Sequence, residues 1–237
     1  MSDPLLLAIL ALTTGIAAFV QGAIGIGFAL IVAPVMGFLA PGLLPVTVLV
    51  LMLPLNLLVA LRERDAIDWR GTAWISAGRL PGTLLGLGVL LVLSASGLNQ
   101  LIGASTVLAV LVALFAPVFR PGRSACLSVG MITGITETAT GVGGPPLALL
   151  YQHRPGPELR STIACCFLVG EVLSLAILAL AGKVHAEQLT WAMMLLPPLL
   201  IGTIASRIIH QRIDAKRLRQ GVLLFAMLSG LVLMLPL

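Results

Sequence analysis

Apolar runs alternate with short polar connections along nearly the whole chain. Ten hydrophobic segments stand out: Pro4–Val20, Ile24–Leu39, Leu43–Leu61, Thr72–Leu93, Leu98–Val118, Ser124–Thr138, Val142–Tyr151, Ser161–Ala181, Leu189–Ile209 and Leu218–Leu237. Crossing a bilayer as a helix takes about 20 apolar residues, and most of these runs suffice. The second, sixth and seventh are shorter. They flank two glycine-rich stretches, Gly25-Ile26-Gly27 and Gly141-Val142-Gly143. Non-helical backbone at membrane depth survives only where protein or a wet cavity satisfies its polar groups. The pattern predicts an all-α polytopic membrane protein, with about eight to ten hydrophobic segments and glycine-broken helices.

Composition narrows the class. The 237 residues are 59% hydrophobic and 10% charged, and the mean hydropathy is +1.11. Soluble domains carry about 25% charged residues. A soluble enzyme, a disordered chain and a secreted scaffold are excluded. No polar stretch is long enough for an extra-membrane domain, so 1–237 reads as one transmembrane unit whose function sits in the bilayer. The first apolar run has no basic residue before it and no clean cleavage site after it, so it reads as retained. Cys126, Cys165 and Cys166 lack a second Cys/His cluster and read as small packing residues. No metal and no cofactor is expected. The chain has no phosphate-binding loop, so it does not hydrolyse ATP itself.

Landmarks recur at one spacing. Gly25 and Gly141 are 116 residues apart; so are Leu80-Pro81 and Leu196-Pro197, and Gly86 and Gly202. This predicts a duplication, about residues 4–118 and 124–237, with five segments in each half. Five is odd, so the second copy is expected to be inverted. Charge agrees: Arg62, Arg64, Arg70, Arg120, Arg123, Arg154, Arg160, Arg207, Arg212, Lys216, Arg217 and Arg219 fall in connections on one side, and Lys183 on the other. The positive-inside rule makes the basic side the cytoplasm and puts both termini outside. These basic residues read as topology determinants touching lipid, not as a nucleic-acid site. Inverted repeats with broken helices are the build of many secondary transporters.

The run Gln21-Gly22-Ala23-Ile24-Gly25-Ile26-Gly27 has a counterpart in Glu137-Thr138-Ala139-Thr140-Gly141-Val142-Gly143-Gly144-Pro145-Pro146. With Leu80-Pro81-Gly82, Gly86 and the basic stretch Arg207–Arg219, it resembles the sulfite exporter TauE/SafE family over nearly the whole chain. The resemblance implies a bacterial inner-membrane carrier that exports sulfite or a related sulfur-containing or organic anion.

Three ionisable residues lie well inside segments: Arg79, Glu137 and Glu171. Facing lipid, each costs about 2.5–3.5 kcal/mol or more, so they are expected to face one another or a wet cavity. Arg79 offers planar donors to an oxyanion. Glu137 and Glu171 are candidates for proton coupling, and Arg79–Glu171 is one open pairing. Gly25, Gly27, Gly141, Gly143 and Gly144 allow backbone to approach a ligand. Pro145 and Pro146 suit a new helix start, and a helix N-terminus favours an anion. Thr133, Thr136, Thr138 and Thr140 add hydroxyls; Gln21 and Asn56 complete the expected substrate-binding set with Arg79. His153, His185 and His210 read as peripheral, and Trp69, Trp74 and Trp191 as interfacial anchors.

The expected function is export of a small anion by alternating access. The competing readings are a carrier that binds or couples to a cation through Glu137 and Glu171, and a non-transporting membrane assembly protein. No catalytic residue is expected: no nucleophile–base motif or metal-ligand motif appears.

Overall fold

A computed structural model describes residues 4–115, 122–209 and 215–235. Among them lie ten α-helices: α1 Pro4–Ile24, α2 Phe28–Leu39, α3 Val46–Arg62, α4 Trp69–Val92, α5 Ala95–Phe115, α6 Arg123–Thr140, α7 Gly144–Tyr151, α8 Gly156–Leu180, α9 Ala186–Ile209 and α10 Ala215–Met234. Every expected segment is helical within the described residues, with ends moved by a few residues; Val118 and Leu237, the expected ends of two segments, lie outside them. α1 runs on through Gln21 to Ile24, and α8 starts five residues before Ser161. Arg120, His210 and Arg212 lie outside the described residues.

α1, α4, α8, α9 and α10 are long and apolar enough to cross a membrane. Their outward faces carry large apolar side chains such as Leu12, Leu84, Val172, Ile201 and Leu228, as lipid contact requires. The chain is a multi-pass membrane protein. α2 and α7 have 12 and 8 residues, about 18 and 12 Å at 1.5 Å per residue. Both fall short of the roughly 30 Å hydrocarbon core. α1–α2 and α6–α7 are therefore helical hairpins with a short return arm.

Small residues set the closest packing. A Cβ on Gly78 or Gly82 of α4 would run into the Leu127 or Met131 carbonyl of α6, and one on Gly130 into the Ile75 carbonyl. α1 and α9 meet in the same way, with Gly202 against the Gly15 carbonyl. Close backbone approach through glycine is the usual means of helix association where lipid supplies no hydrophobic drive.

Polar contacts define two ends. At one, Arg62 donates to the Gly22 carbonyl at 3.1 Å, Arg160 pairs with Glu63 through two bonds of 3.0 and 2.5 Å, and Tyr151 donates to Asp68 at 3.0 Å. At the other, Thr47 donates to the Gln188 carbonyl, Gln188 to the Gly42 carbonyl and Asn99 to the Gly37 carbonyl. The described basic loop residues gather at the first end, and Lys183 lies at the second. Trp69 is exposed at its helix end, as an interfacial anchor should be. Trp191 instead packs into the core.

Candidate functional site

The glycine-mediated approach of α4 to α6 brings Arg79 against Glu137. Both side chains are fully buried, and Arg79 Nη2 lies 2.5 Å from Glu137 Oε2. Arg79 Nη1 donates to the Cys166 carbonyl of α8 at 2.9 Å. The Phe167 ring centroid is 6.0 Å from the guanidinium carbon, within cation–π range. Gly170 makes the room: a Cβ there would overlap the guanidinium. Thr83 lies four residues after Arg79 and Thr133 four before Glu137, which puts each on its partner's helix face. Arg79 Nε and the hydroxyls of Thr83 and Thr133 are buried without a hydrogen-bond partner among the described residues. Such groups are costly unless something pairs with them.

The second glycine break borders this cluster. Gly141 closes α6 in the left-handed region at φ 78°, which suits glycine, and its N–H donates to the Glu137 carbonyl at 2.8 Å. The chain then folds back. A Cβ on Gly143 would strike Glu137 Oε2 and lie 2.9 Å from Thr133 Cγ2, and Gly144 faces Phe167. Gly143 and Gly144 thus adjoin the ion pair. Thr140 is occupied locally: its hydroxyl donates to the Thr136 carbonyl at 2.7 Å and accepts from Val142 N at 3.2 Å, which staples the break. The expected supply of free amides at the α7 start is reduced, because Pro145 and Pro146 carry no N–H.

Gln21, Asn56 and Glu171 form a separate buried chain across three helices. Phe28 N donates to Gln21 Oε1 at 3.0 Å, Gln21 Nε2 to Asn56 Oδ1 at 2.7 Å, and Asn56 Nδ2 to Glu171 Oε1 at 2.6 Å. Of the pairings open to Arg79, the fold takes Glu137; Glu171 goes to Asn56. Thr138 and Ser174 share a hydrogen bond of 2.8 Å between α6 and α8.

The first break does not join the second. A Cβ on Gly25 (φ 87°) would meet Arg160 at 2.6 Å, and one on Gly27 (φ 126°) Val20 at 2.8 Å. Gly141 instead faces Val48, near the other end of α3. Val48 and Arg62 are 14 residues apart on α3, about 21 Å. The first break borders one cavity, and the last turn of α6, before the second break, borders another. One, of about 330 Å³, is lined by Ala23, Ile26, Arg154, Arg160 and Arg219 at the basic end. The other, of about 410 Å³, is lined by Pro45, Asn99, Ala139, Lys183 and His185. Neither is lined by Arg79, Glu137 or Glu171. His153 is exposed.

Sequence reasoning missed Gly170, Phe167, Thr83 and the Cys166 carbonyl. Only Gly170 left a trace, as a small residue next to a buried acid.

Long apolar helices around a sealed guanidinium and two carboxyls define a polytopic membrane protein with an ionisable core. The chain belongs to the sulfite exporter TauE/SafE family, whose model matches residues 10–233, and so it falls among membrane transporters of sulfite and related anions. The match spans both polar clusters and both breaks. No curated protein and no solved structure matches the chain.

Proposed function

We propose that this protein is a secondary transporter of the bacterial inner membrane that exports a small anion by alternating access. The cargo is sulfite or a related organosulfonate or carboxylate. Arg79 carries the reading. It is a fully buried guanidinium with unpaired donor capacity, bordered by the second glycine break at Gly143. Guanidinium matches oxyanion geometry, and a cation at this depth needs an anionic partner. Glu137 fills that place at Nη2, and the unpartnered Nε is the donor left for the anion. One guanidinium balances one of the two carboxyls, which leaves the other for a coupling proton. Gly143 and Gly144 line the site; Gly25, Gly27 and Gly141 are the hinges.

Helix packing supports inverted repeats. α1 lies on α9 as α6 lies on α4, α3 on α9 as α8 on α4, while α3 pairs with α8 and α5 with α10. Exchange of the first five helices with the last five reproduces this pattern. Ala23 and Ala139, 116 residues apart, line the two cavities at opposite ends. Those cavities serve as the two vestibules, with the core sealed between them. The basic end faces the cytoplasm.

The test is efflux from proteoliposomes loaded with sulfite, sulfoacetate, thiosulfate, acetate or sulfate, with and without a pH gradient. Saturable efflux of one anion, lost in a folded Gly143→Leu variant, is the expected result. No flux of any of them from folded, inserted protein would overturn it.

A further inference from the structure

The hydrogen-bond chain from the first break to Glu171 has a forced polarity. A backbone N–H only donates, so Gln21 must turn its oxygen to Phe28 N. Its NH2 group then faces Asn56, which must answer with Oδ1. The Asn56 NH2 group is left for Glu171 Oε1. Every donor points toward Glu171. Reversing one amide sets two donors or two acceptors face to face in a buried site. Glu171 Oε1 is therefore held as an acceptor in both protonation states. Glu171 Oε2 is buried and has no hydrogen-bond partner among the described residues.

We infer that Gln21 and Asn56 are positioning residues rather than anion ligands: they orient Glu171 so that the coupling proton binds at Oε2, and they tie that event to the backbone of the first break at Phe28. The inference rests on the proton-coupled reading above and assigns its proton to one atom. An O–H bond forms at Oε2 as the proton arrives from water on one side, and breaks as it leaves to the other. The surroundings are limited. Arg79 comes from α4 and is committed to Glu137 of α6 at 2.5 Å. α3 offers only Asn56 at this level; its charged residue, Arg62, is at its far end and bonds the Gly22 carbonyl. The Arg64 and Asp65 side chains beyond it are exposed and face each other. The titratable residue of α7, Tyr151, is its last and bonds Asp68. On α8 itself, Cys166 turns its thiol to Thr72, Cys165 is half-buried, and Glu158 sits near the helix start, paired with Arg154.

Polarity can be reversed by moving the carboxyl. In Gln21→Glu, the new side chain accepts from Phe28 N but cannot donate to Asn56 as a carboxylate. Asn56 must turn round, and Glu171 must then donate from Oε1. Adding Glu171→Gln supplies that donor permanently, so the doubly substituted chain is satisfied again in the opposite sense. Melting temperatures of the wild type, both single variants and the double variant, all in lipid, test the relay without any transport measurement. The expected result is strong non-additivity, with the double variant regaining most of the Gln21→Glu loss. Additive losses overturn the relay.

Flux against pH tests the coupling. Gln21→Glu is expected to displace the midpoint of the pH profile by about one unit; a lower rate at an unmoved midpoint overturns the positioning role. If Gln21→Glu does not fold, Asn56→Asp asks the same question, since it turns a carboxylate oxygen toward Glu171. A wild type indifferent to a pH gradient overturns the coupled reading underneath. A responsive wild type whose variants keep its midpoint overturns this inference alone.

Discussion

Gln21 and Glu137 each stand one turn before a glycine break, and each gives its carbonyl to the N–H of the first glycine, Gly25 at 2.7 Å and Gly141 at 2.8 Å. Their side chains part company. Gln21 spends its oxygen on Phe28 N and its amide group on Asn56. Glu137 faces Arg79 and caps no backbone. The same backbone device thus serves an amide relay that ends on Glu171 at one break and an ion pair with spare donor capacity at the other. An amide that donates and accepts can satisfy a buried chain completely, whereas a carboxylate only accepts and needs a cation. The comparison separates a break anchored by a side-chain amide from one that borders an ion pair.

The largest effect is expected where the charge is. Arg79→Leu leaves Glu137 as a buried, uncompensated carboxylate, a loss of about 3–5 kcal/mol. Melting temperature should fall sharply, and anion flux should vanish. Arg79→Gln combined with Glu137→Gln should regain stability without regaining flux. Recovery of flux in that pair would show that the second break does not bind the anion through Arg79.

The next effect sets glycine against glycine. Gly143 has φ −125°, which any residue adopts, so Gly143→Ala suffers only from its collisions with the Glu137 and Thr133 side chains. Flux should fall about tenfold, the equivalent of 1.4 kcal/mol, with a small change in melting temperature. Gly27 has φ 126°, so Gly27→Ala strains the backbone by about 1–2 kcal/mol. There the melting temperature should fall more than the flux. Equal ratios of the two losses would erase the distinction between the breaks.

The smallest effect concerns the clasp beside the first break. Arg160 packs against Gly25 and is held by Glu63. Both side chains are partly exposed, so the pair is worth about 1 kcal/mol. Glu63→Gln should leave the melting temperature nearly unchanged. It should raise the labelling rate of a cysteine placed at Ala23, in the basic-end cavity, by up to about fivefold, the ratio that 1 kcal/mol allows. An unchanged labelling rate would remove Glu63 from the closure of that end.

Much of this was legible in advance. Segment number and class follow from apolar run length, because a bilayer imposes one length on every crossing helix. Arg79, Glu137 and Glu171 announced themselves as charges where charges are expensive. The breaks were visible as paired glycines. Thr140 was expected as a ligand hydroxyl, and in the fold its hydroxyl serves its own backbone, a local use that no sequence pattern distinguishes. Arg79 and Gly170 lie 91 residues apart, so no local pattern links the guanidinium to the gap that admits it.

The sequence by itself determined which residues had to leave lipid, how many helices carry them and where those helices are interrupted, since these depend on transfer cost and backbone conformation residue by residue. Only the tertiary structure decided that Arg79 meets Glu137 rather than Glu171, that Gln21 and Asn56 answer each other, and that the two breaks stand at opposite ends of α3. Partner choice in a bundle depends on which helix faces touch and how closely. That is set by glycine contacts between α4 and α6 and between α1 and α9, which no single helix contains.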